Sequence, residues 1–432
     1  MKIQTSLQGI ATKAAREKTY RFRSLARMLS VDFLLWCWTF INKKAAAGVD
    51  KVSAKEYEEN LLANIEDLVA QCKENRYRAK LVKRQYIPKG KDKLRPLGMP
   101  AISDKLLQLG VKVILESIYE QDFLACSYGY RPKKSATDAV EEVYNVLREG
   151  QYCYIVKVDI KSYFDNIDHD KLIDMLNQRV DDKSFLRLIR KWLKAGILDT
   201  DDKIICPETG TPQGSILSPI LANIYLHYAL DLWFEQEVKL NSMSKASLWR
   251  YADDFICAFT SQQDAQCFYN QLVKRMAMFN LQLAEDKSHI IEFCQYQNRN
   301  NRSFDFLGFE FRWGKSRFGR KILKKRTAPK KLKQSIVNFA NWCRKNYHQR
   351  ISILFANINS KLRGHYNYYG LVGNFKALGS FFYWVKIVLL KWLNRRSQRK
   401  SYTWQAFNDL IKHFNLQKPR IIKRPTQLKL SF

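Results

Sequence analysis

The chain has 432 residues, of which 46% are hydrophobic, enough to bury ordinary cores in several domains. Lysine and arginine number 74 against 41 aspartate and glutamate, a net charge of +33 that is costly unless a polyanion such as nucleic acid offsets it. The longest apolar runs, residues 31–41 and 381–393, are shorter than the roughly 20 residues of a membrane-spanning helix, which argues against a membrane protein.

The nine cysteines are scattered, and no two of them form a Cys-x-x-Cys pair. Zinc ribbons and zinc knuckles are therefore not expected, and the cysteines are interpreted as small buried hydrophobic residues. Residues 1–30 contain no apolar signal segment. Free thiols in a chain of this size favour a cytoplasmic location.

The first half of the chain alternates between predicted strands and helices. Residues 1–30 are predicted to be helical and basic, and residues 31–40 to pack into a core. A hairpin is predicted at residues 81–100, with strands at 84–88 and 94–99 around a lysine-rich turn. Helices are expected at residues 103–120, 135–148, 171–180 and 183–193, and a strand at residues 152–160.

The second half continues the mixed pattern and then becomes helical. A long helix is predicted at residues 216–237, a pair of strands at 248–259 turning at Ala252-Asp253, a helix at 264–281 and a strand-like segment at 304–313. Residues 312–333 carry eleven basic side chains and no acidic one. From residue 329 to about 394 the pattern is helical, with aromatic residues among lysines and arginines, a combination that can stack on bases and hold phosphates.

Three carboxylates are candidates for catalysis. Asp159 ends a predicted strand, and Asp253 and Asp254 occupy a tight turn between two strands. Adjacent carboxylates repel one another and therefore need cations, and Mg²⁺ prefers carboxylate and phosphate oxygens. Two Mg²⁺ ions held in this way could clamp an in-line phosphoryl displacement. A lone Asp-Asp pair, however, is usually a solvated turn.

Seven ordered motifs accompany these carboxylates. They are IPK with LRPLGMP at 87–100, SYGYRP at 127–132, Asp159 with FDNIDH at 159–169, GTPQG with LSP at 210–219, YADD at 251–254, LAEDK at 283–287 and FLGF at 306–309. With LRGHYNYY at 362–369 and WLNRR at 392–396, the chain resembles the reverse transcriptases encoded by bacterial group II introns and their relatives. The resemblance runs from about residue 47 to residue 420. It implies an α+β right-hand polymerase, with fingers and palm built from antiparallel sheet and helices, followed by an all-α thumb/maturase domain.

The resemblance also implies roles for individual residues. The catalytic set would be Asp159, Asp253, Asp254 and Lys287, and two Mg²⁺ ions, replaceable by Mn²⁺, would be held by Asp159, Ile160, Asp253 and Asp254. The dNTP would be bound by Lys89, Arg95, Phe164 and Gln213, with Phe164 as the bulky gate that excludes a 2′-hydroxyl. Leu307 and Gly308 would form the primer grip. Nucleic acid would contact Arg131, Lys324, Lys325, Arg326, Lys330, Lys331 and Arg363.

The expected organisation is a basic helical extension at 1–45, fingers and palm at 46–310, and a basic helical thumb/maturase-like domain with a tail at 311–432. The expected activity is RNA-directed DNA polymerisation, a nucleotidyl transfer from dNTPs to a DNA or RNA primer on an RNA template. A dedicated structured RNA is the expected partner, and no endonuclease is expected. Two alternatives stay open: a maturase that mainly folds an intron RNA, and an antiphage defence enzyme that copies a non-coding RNA. An RNA-dependent RNA polymerase is disfavoured by Phe164.

Overall fold

The computed structural model describes residues 2–88, 94–295, 302–396 and 402–422. The chain divides into two compact units. The first comprises Met1–Lys134, Val156–Cys257 and Gln263–His289, and the second comprises Ser135–Ile155, Ala258–Gln262 and Ile290–Phe432. Within the described ranges, no helix is both long and apolar enough to cross a membrane.

The α-helices are, in chain order, α1 (Lys2–Arg16), α2 (Val31–Trp38), α3 (Ala54–Glu59), α4 (Leu61–Lys73), α5 (Ile102–Tyr119), α6 (Ala136–Leu147), α7 (His169–Asn177), α8 (Lys183–Leu193), α9 (Ser218–Leu226), α10 (Lys239–Asn241), α11 (Gln262–Met278), α12 (Pro329–Asn346), α13 (Ile351–Tyr369), α14 (Phe375–Leu393) and α15 (Trp404–His413). The strands are β1 (Val82–Pro88), β2 (Leu94–Met99), β3 (Tyr154–Asp159), β4 (Ile197–Leu198), β5 (Ile204–Ile205), β6 (Ala246–Tyr251), β7 (Asp254–Phe259), β8 (His289–Glu292), β9 (Ser303–Phe306), β10 (Phe309–Lys315) and β11 (Lys321–Thr327). The mixed α+β class predicted from the sequence is confirmed.

The first sheet has the strand order β2-β1-β4-β5. β1 and β2 pair in antiparallel register from Lys83 opposite Met99 to Pro88 opposite Leu94, which confirms the predicted hairpin. β4 lies parallel to β1 and antiparallel to β5. The turn at residues 89–93, including the predicted dNTP-binding residue Lys89, lies outside the described residues.

The second sheet has the order β6-β7-β3-β8. The inner strand β3 buries Ile155, Val156 and Val158, as expected for β-branched residues covered on both faces. The strand predicted at residues 152–160 and the strand pair at 248–259 are both confirmed.

The long helix predicted at 216–237 is present but is not α-helical throughout. After α9 the helix continues through two π-helical turns, His227–Asp231 and Phe234–Val238, and ends in α10. π turns are rare and are often found at functional sites. The helix is buried along most of its length, and it includes the polar residues Asn223 and Asp231, which are almost fully inaccessible.

The third sheet has the order β11-β10-β9 and belongs to the second unit. The strand-like segment predicted at 304–313 proves to be two strands. Leu307 and Gly308 have φ of 48° and 79°, so they close a tight hairpin between Phe306 and Phe309. β11 was not predicted, because its run of cations lacks the residues typical of strands. It nevertheless alternates, with Leu323, Lys325 and Thr327 facing inward.

The helical stretch predicted at 329–394 is confirmed as α12, α13 and α14. Their shared core contains Phe339, Cys343, Leu354, Phe355, Ile358, Leu362, Tyr366, Leu378, Phe381, Val385, Leu389 and Leu393. The aromatic residues of this region divide into two groups. Tyr366 is fully buried, whereas Tyr383 and Trp384 are 55% and 45% exposed. Only the exposed group can stack on a base.

Candidate active site

The paired carboxylates lie where β6 turns into β7. Ala252 adopts a left-handed conformation with φ of 56°, and Asp254 is the first residue of β7. Ala252 is buried, and the two aspartates are half-buried. A non-glycine residue in this conformation is uncommon, and such strain is often found at functional sites.

Asp159 ends the strand that neighbours β7 in the sheet. Its carbonyl accepts a hydrogen bond from the Ala284 amide at 2.8 Å, and its amide donates to the Ser288 hydroxyl at 3.3 Å. The Lys287 ammonium donates to Asp159 Oδ2 at 2.7 Å. This hydrogen bond and the carboxylate charge raise the pKa of Lys287 above its ordinary value. The structure therefore brings together two of the predicted catalytic residues, Asp159 and Lys287, by direct contact.

The donor chemistry of this corner suits a hard divalent cation. Asp159, Asp253 and Asp254 offer carboxylate oxygens, and Ile160, whose side chain is hydrocarbon, can offer only its backbone carbonyl. At present Lys287 supplies the positive charge next to Asp159. In the described part of the chain, no three His, Cys, Asp or Glu side chains are grouped so as to hold a metal ion. The residue types fit Mg²⁺, with Lys287 as the present counter-charge of Asp159.

The predicted sugar gate and the Gly-Thr-Pro-Gln segment are held against each other. Phe164 lies half-buried in the 3₁₀ turn Tyr163–Asp165, and its carbonyl accepts a hydrogen bond from the Thr211 amide at 2.7 Å. Gly210 has φ of 90°, and a Cβ there would lie 2.8 Å from the carbonyl oxygen of Asp165. Glycine is therefore required for this close approach.

Gln213 connects this segment to the fingers sheet, because its carbonyl accepts a hydrogen bond from the Gly98 amide at the end of β2. Arg95, on the same strand, is exposed. The pKa of Tyr130 is raised by burial and by the charge of Asp253, while Arg95 acts to lower it. Arg95 and Asp253 therefore both lie within electrostatic range of Tyr130.

Leu307 and Gly308, the predicted primer grip, belong to the second unit. Tyr368 donates a hydrogen bond from its hydroxyl to the Leu307 carbonyl at 2.9 Å, and the Ala328 amide donates to the Gly308 carbonyl at 3.0 Å. A Cβ at Gly308 would meet the Tyr369 hydroxyl at 2.9 Å. The turn is thus fixed by α13 and by the end of β11.

The cations predicted to bind nucleic acid fall into two groups. Arg131 and Lys325 are buried. Arg131 donates to Glu120 and to the carbonyls of Leu124 and Ser127, while Lys325 pairs with Glu141 and lies 4.1 Å from the centre of the Tyr144 ring. Accessible cations remain at Lys324, Arg326, Lys330, Lys331 and Arg363. Of these, Arg326 pairs with Glu310.

Two family models match the chain. Residues 87–311 match the reverse transcriptase (RNA-dependent DNA polymerase) family, and residues 330–409 match the maturase-specific domain of group II introns. The chain is 31% identical to the group II intron-encoded protein LtrA of Lactococcus lactis subsp. cremoris, over 80% of this chain and 70% of LtrA. The chain belongs to the group II intron-encoded reverse transcriptase and maturase family.

This reverse transcriptase has further relatives. It is 31% identical to protein YkfC of Escherichia coli over 59% of this chain and 75% of YkfC. It is 32% identical to the putative COX1/OXI3 intron 2 protein of Saccharomyces cerevisiae over 52% of this chain and 24% of that protein. Family membership makes the chain an RNA-directed DNA polymerase, an activity that generally depends on divalent metal ions.

Three features of the reverse transcriptase site were not singled out from the sequence. Tyr130 has φ of 57° and is 52% exposed next to Asp253. Gly129 lies against the backbone of Ala252. Arg250 is fully buried immediately before the carboxylate turn. Their positions next to recognised motifs were visible, but a buried arginine in a strand has no sequence signature of its own.

Proposed function

We propose that this reverse transcriptase adds dNTPs to a primer 3′-hydroxyl at a site formed by Asp159, Asp253 and Asp254. The observation that carries the proposal is the placement of these carboxylates on neighbouring strands, with Lys287 in direct contact with Asp159. Carboxylates so placed need cations, and phosphoryl transfer from a triphosphate needs the same cations.

Two Mg²⁺ ions would be held by the three carboxylates and the Ile160 carbonyl. When bound, such ions activate the attacking hydroxyl and neutralise the triphosphate and the departing pyrophosphate. The protein's own contribution is orientation. Asp159 is fixed through its backbone to Ala284 and Ser288, and Lys287 lies where it can hold charge or a proton near the leaving pyrophosphate.

The incoming nucleotide would lie between the fingers hairpin and the Phe164 segment. Arg95 would contact the triphosphate together with Lys89, whose position lies outside the described residues. Phe164 would exclude a 2′-hydroxyl by bulk, and Gln213 would support the new base pair. The support for this arrangement is that the Phe164 carbonyl is bound to Thr211 and the Gln213 carbonyl to Gly98, so both side chains are attached to the same framework.

In the second unit, Leu307 and Gly308 would seat the primer end. The accessible cations Lys324, Arg326, Lys330, Lys331 and Arg363 would contact phosphates of the template–primer or of a partner RNA. Direct phosphate contact is not proposed for Arg131 and Lys325, because both are buried in contacts with protein groups. The fingers and palm are proposed to span residues 46–310, with a basic extension before them and the thumb and maturase-like region after them.

The polymerase site is tested by Asp159→Asn, which keeps the side-chain shape and removes one charge. We expect primer extension with dTTP on poly(rA)/oligo(dT) to fall by about 10²- to 10³-fold, while template–primer affinity is unchanged. The matched control is Asp170→Asn, since Asp170 is an exposed aspartate that pairs with Arg190 at 3.1 Å. Activity of Asp159→Asn equal to that of the control would contradict the assignment.

The partner is proposed to be a structured intron RNA, since LtrA is by name encoded in a group II intron and residues 330–409 match the intron maturase domain. The alternative is a defence role, in which the enzyme copies a non-coding RNA. Sequencing the RNA that copurifies with the protein, together with its cDNA, distinguishes them. Intron sequence supports the first role, and a non-coding RNA without intron boundaries supports the second.

A further inference from the structure

Arg250 is the residue before Tyr251 at the end of β6, two positions from Ala252. Its side chain and that of Asp231 are both 0% exposed. Burying an ion pair removes two charges from water, and apolar residues of similar volume often stabilise a fold as well or better. A fully buried arginine next to the carboxylate turn therefore calls for a more specific reason than stability.

The hydrogen bonds of Arg250 supply that reason. Nε and one terminal nitrogen donate to the two carboxylate oxygens of Asp231 at 2.7 and 2.5 Å. The other terminal nitrogen donates to Asn223 Oδ1 at 3.0 Å and to the Ala252 carbonyl at 3.2 Å. The guanidinium is thus fixed on one side by the helix and reaches the carboxylate turn with its other side. Only a planar fork with several donors can do both at once.

The turn requires such a restraint. Ala252 has φ of 56°, a conformation that residues with a Cβ rarely adopt. The next two residues are Asp253 and Asp254, so a change at Ala252 redirects both carboxylates. The Asn223 amide also donates to the Gly129 carbonyl at 2.7 Å, and Gly129 lies against the Ala252 backbone from the opposite direction.

The same helix restrains the sugar-gate segment. Tyr163 donates a hydrogen bond from its hydroxyl to the Ala222 carbonyl at 2.5 Å, and Ala222 is the residue before Asn223. Adjacent residues of α9 therefore hold the segment that carries Phe164 and the guanidinium that holds Ala252. Asp231 follows at the end of the first π-helical turn.

We propose that Arg250, oriented by Asp231 and Asn223, is a positioning residue that fixes the left-handed turn at Ala252 and so aims Asp253 and Asp254 at the metal-binding position. The inference rests on the proposed function, because it takes these two aspartates as metal ligands. Arg250 touches neither substrate nor metal; it acts through the Ala252 carbonyl.

The first test is Arg250→Lys, which keeps the buried charge next to Asp231 but lacks the fork. We expect the rate of dTTP incorporation on poly(rA)/oligo(dT) to fall by about 10- to 100-fold, the loss associated with displacing catalytic groups by about 1 Å. The Mg²⁺ concentration for half-maximal activity should rise, and template–primer affinity should stay the same. A rise in Mg²⁺ requirement is a readout that general loss of stability does not produce.

The matched control is Arg179→Lys. Arg179 is also almost fully buried, pairs with Asp122 at 2.8 Å, and donates to backbone carbonyls of Ala14, Glu17, Lys18 and Tyr20. Its substitution should lower the melting temperature without changing the Mg²⁺ dependence.

A second variant, Arg250→Met with Asp231→Leu, replaces the ion pair with apolar side chains of similar size. We expect it to fold and to remain defective in rate and Mg²⁺ requirement. Wild-type activity in this variant, or a slower Arg250→Lys enzyme with unchanged Mg²⁺ dependence, would overturn the proposal. Failure of both variants to fold would also overturn it, because the pair would then serve the fold as a whole.

Asp253→Ala with Asp254→Ala, assayed alongside, separates this inference from the proposed function. If the double aspartate variant retains synthesis, the active-site assignment itself fails. If that variant is inactive while Arg250→Lys matches the wild type, only the positioning role fails.

Discussion

Gly129 offers a perturbation whose size can be worked out from the structure. A Cβ added at this position would lie 2.3 Å from the Ala252 amide nitrogen and 3.0 Å from the Tyr251 carbonyl carbon. Ordinary van der Waals contact begins at 3.4 Å, so Gly129→Ala requires the backbone of the carboxylate turn to retreat by about 1 Å. Gly129 is not among the described residues with positive φ, so the effect is one of contact and not of backbone conformation.

We expect Gly129→Ala to cost about 1–3 kcal/mol of stability, as overpacking usually does. Displacing Asp253 and Asp254 by about 1 Å should slow single-turnover primer extension by about 100-fold. Gly9→Ala is the matched control, because Gly9 lies in α1 with nothing within 4 Å of the added Cβ. The reasoning is refuted if Gly129→Ala extends primers at the wild-type rate in a folded protein.

Three further outcomes are expected. Phe164→Ala should reduce the preference for dNTP over rNTP by about 10- to 100-fold, whereas Tyr163→Phe, which loses only the bond to the Ala222 carbonyl, should not; equal preference in both variants would remove the gate role. Replacing accessible cations by glutamine should flatten the salt dependence of template–primer binding by roughly 0.7–0.9 in log–log slope per phosphate contact, whereas the buried Lys325→Gln should lower stability and leave the slope unchanged. The accessible cations to be replaced are Lys324, Lys330 and Lys331. Burial raises the pKa of Asp104 to about 6, so its stabilising protonation is present below about pH 4 and is lost as pH rises through 6. The advantage of Asp104→Asn in unfolding free energy should therefore grow by about 3 kcal/mol between pH 4 and pH 7.5, and a pH-independent difference would contradict this.

Much of the fold followed from local sequence signals. The hairpin of β1 and β2, the inner strand β3 and the three helices after residue 329 all have clear periodicity, and each was predicted within a few residues. The Asp168 side chain caps α7 by accepting from the Lys171 amide at 2.9 Å, as its position before the helix indicated. Such features depend on neighbouring residues, so the sequence alone contains them.

What could not be predicted depends on contacts between residues far apart in the chain. The turn at Leu307-Gly308 divides one apparent strand into two, and β11 appears as a loop-like basic run until Lys325 is seen to pair with Glu141. In the same way, Arg250 shows its partners only when Asp231 and Asn223, on the π-distorted helix, are brought beneath β6. Buried polar contacts of this kind leave no periodic pattern.

The central claim, that Asp253 and Asp254 form the polymerase site with Asp159, is tested most directly by replacing both with alanine. The measurement is dTTP incorporation on poly(rA)/oligo(dT) in Mg²⁺, with template–primer affinity determined on the same preparations. The account predicts that incorporation is lost while affinity remains near that of the wild type, because the carboxylates hold metal and not nucleic acid. Continued DNA synthesis by the folded double variant would contradict it.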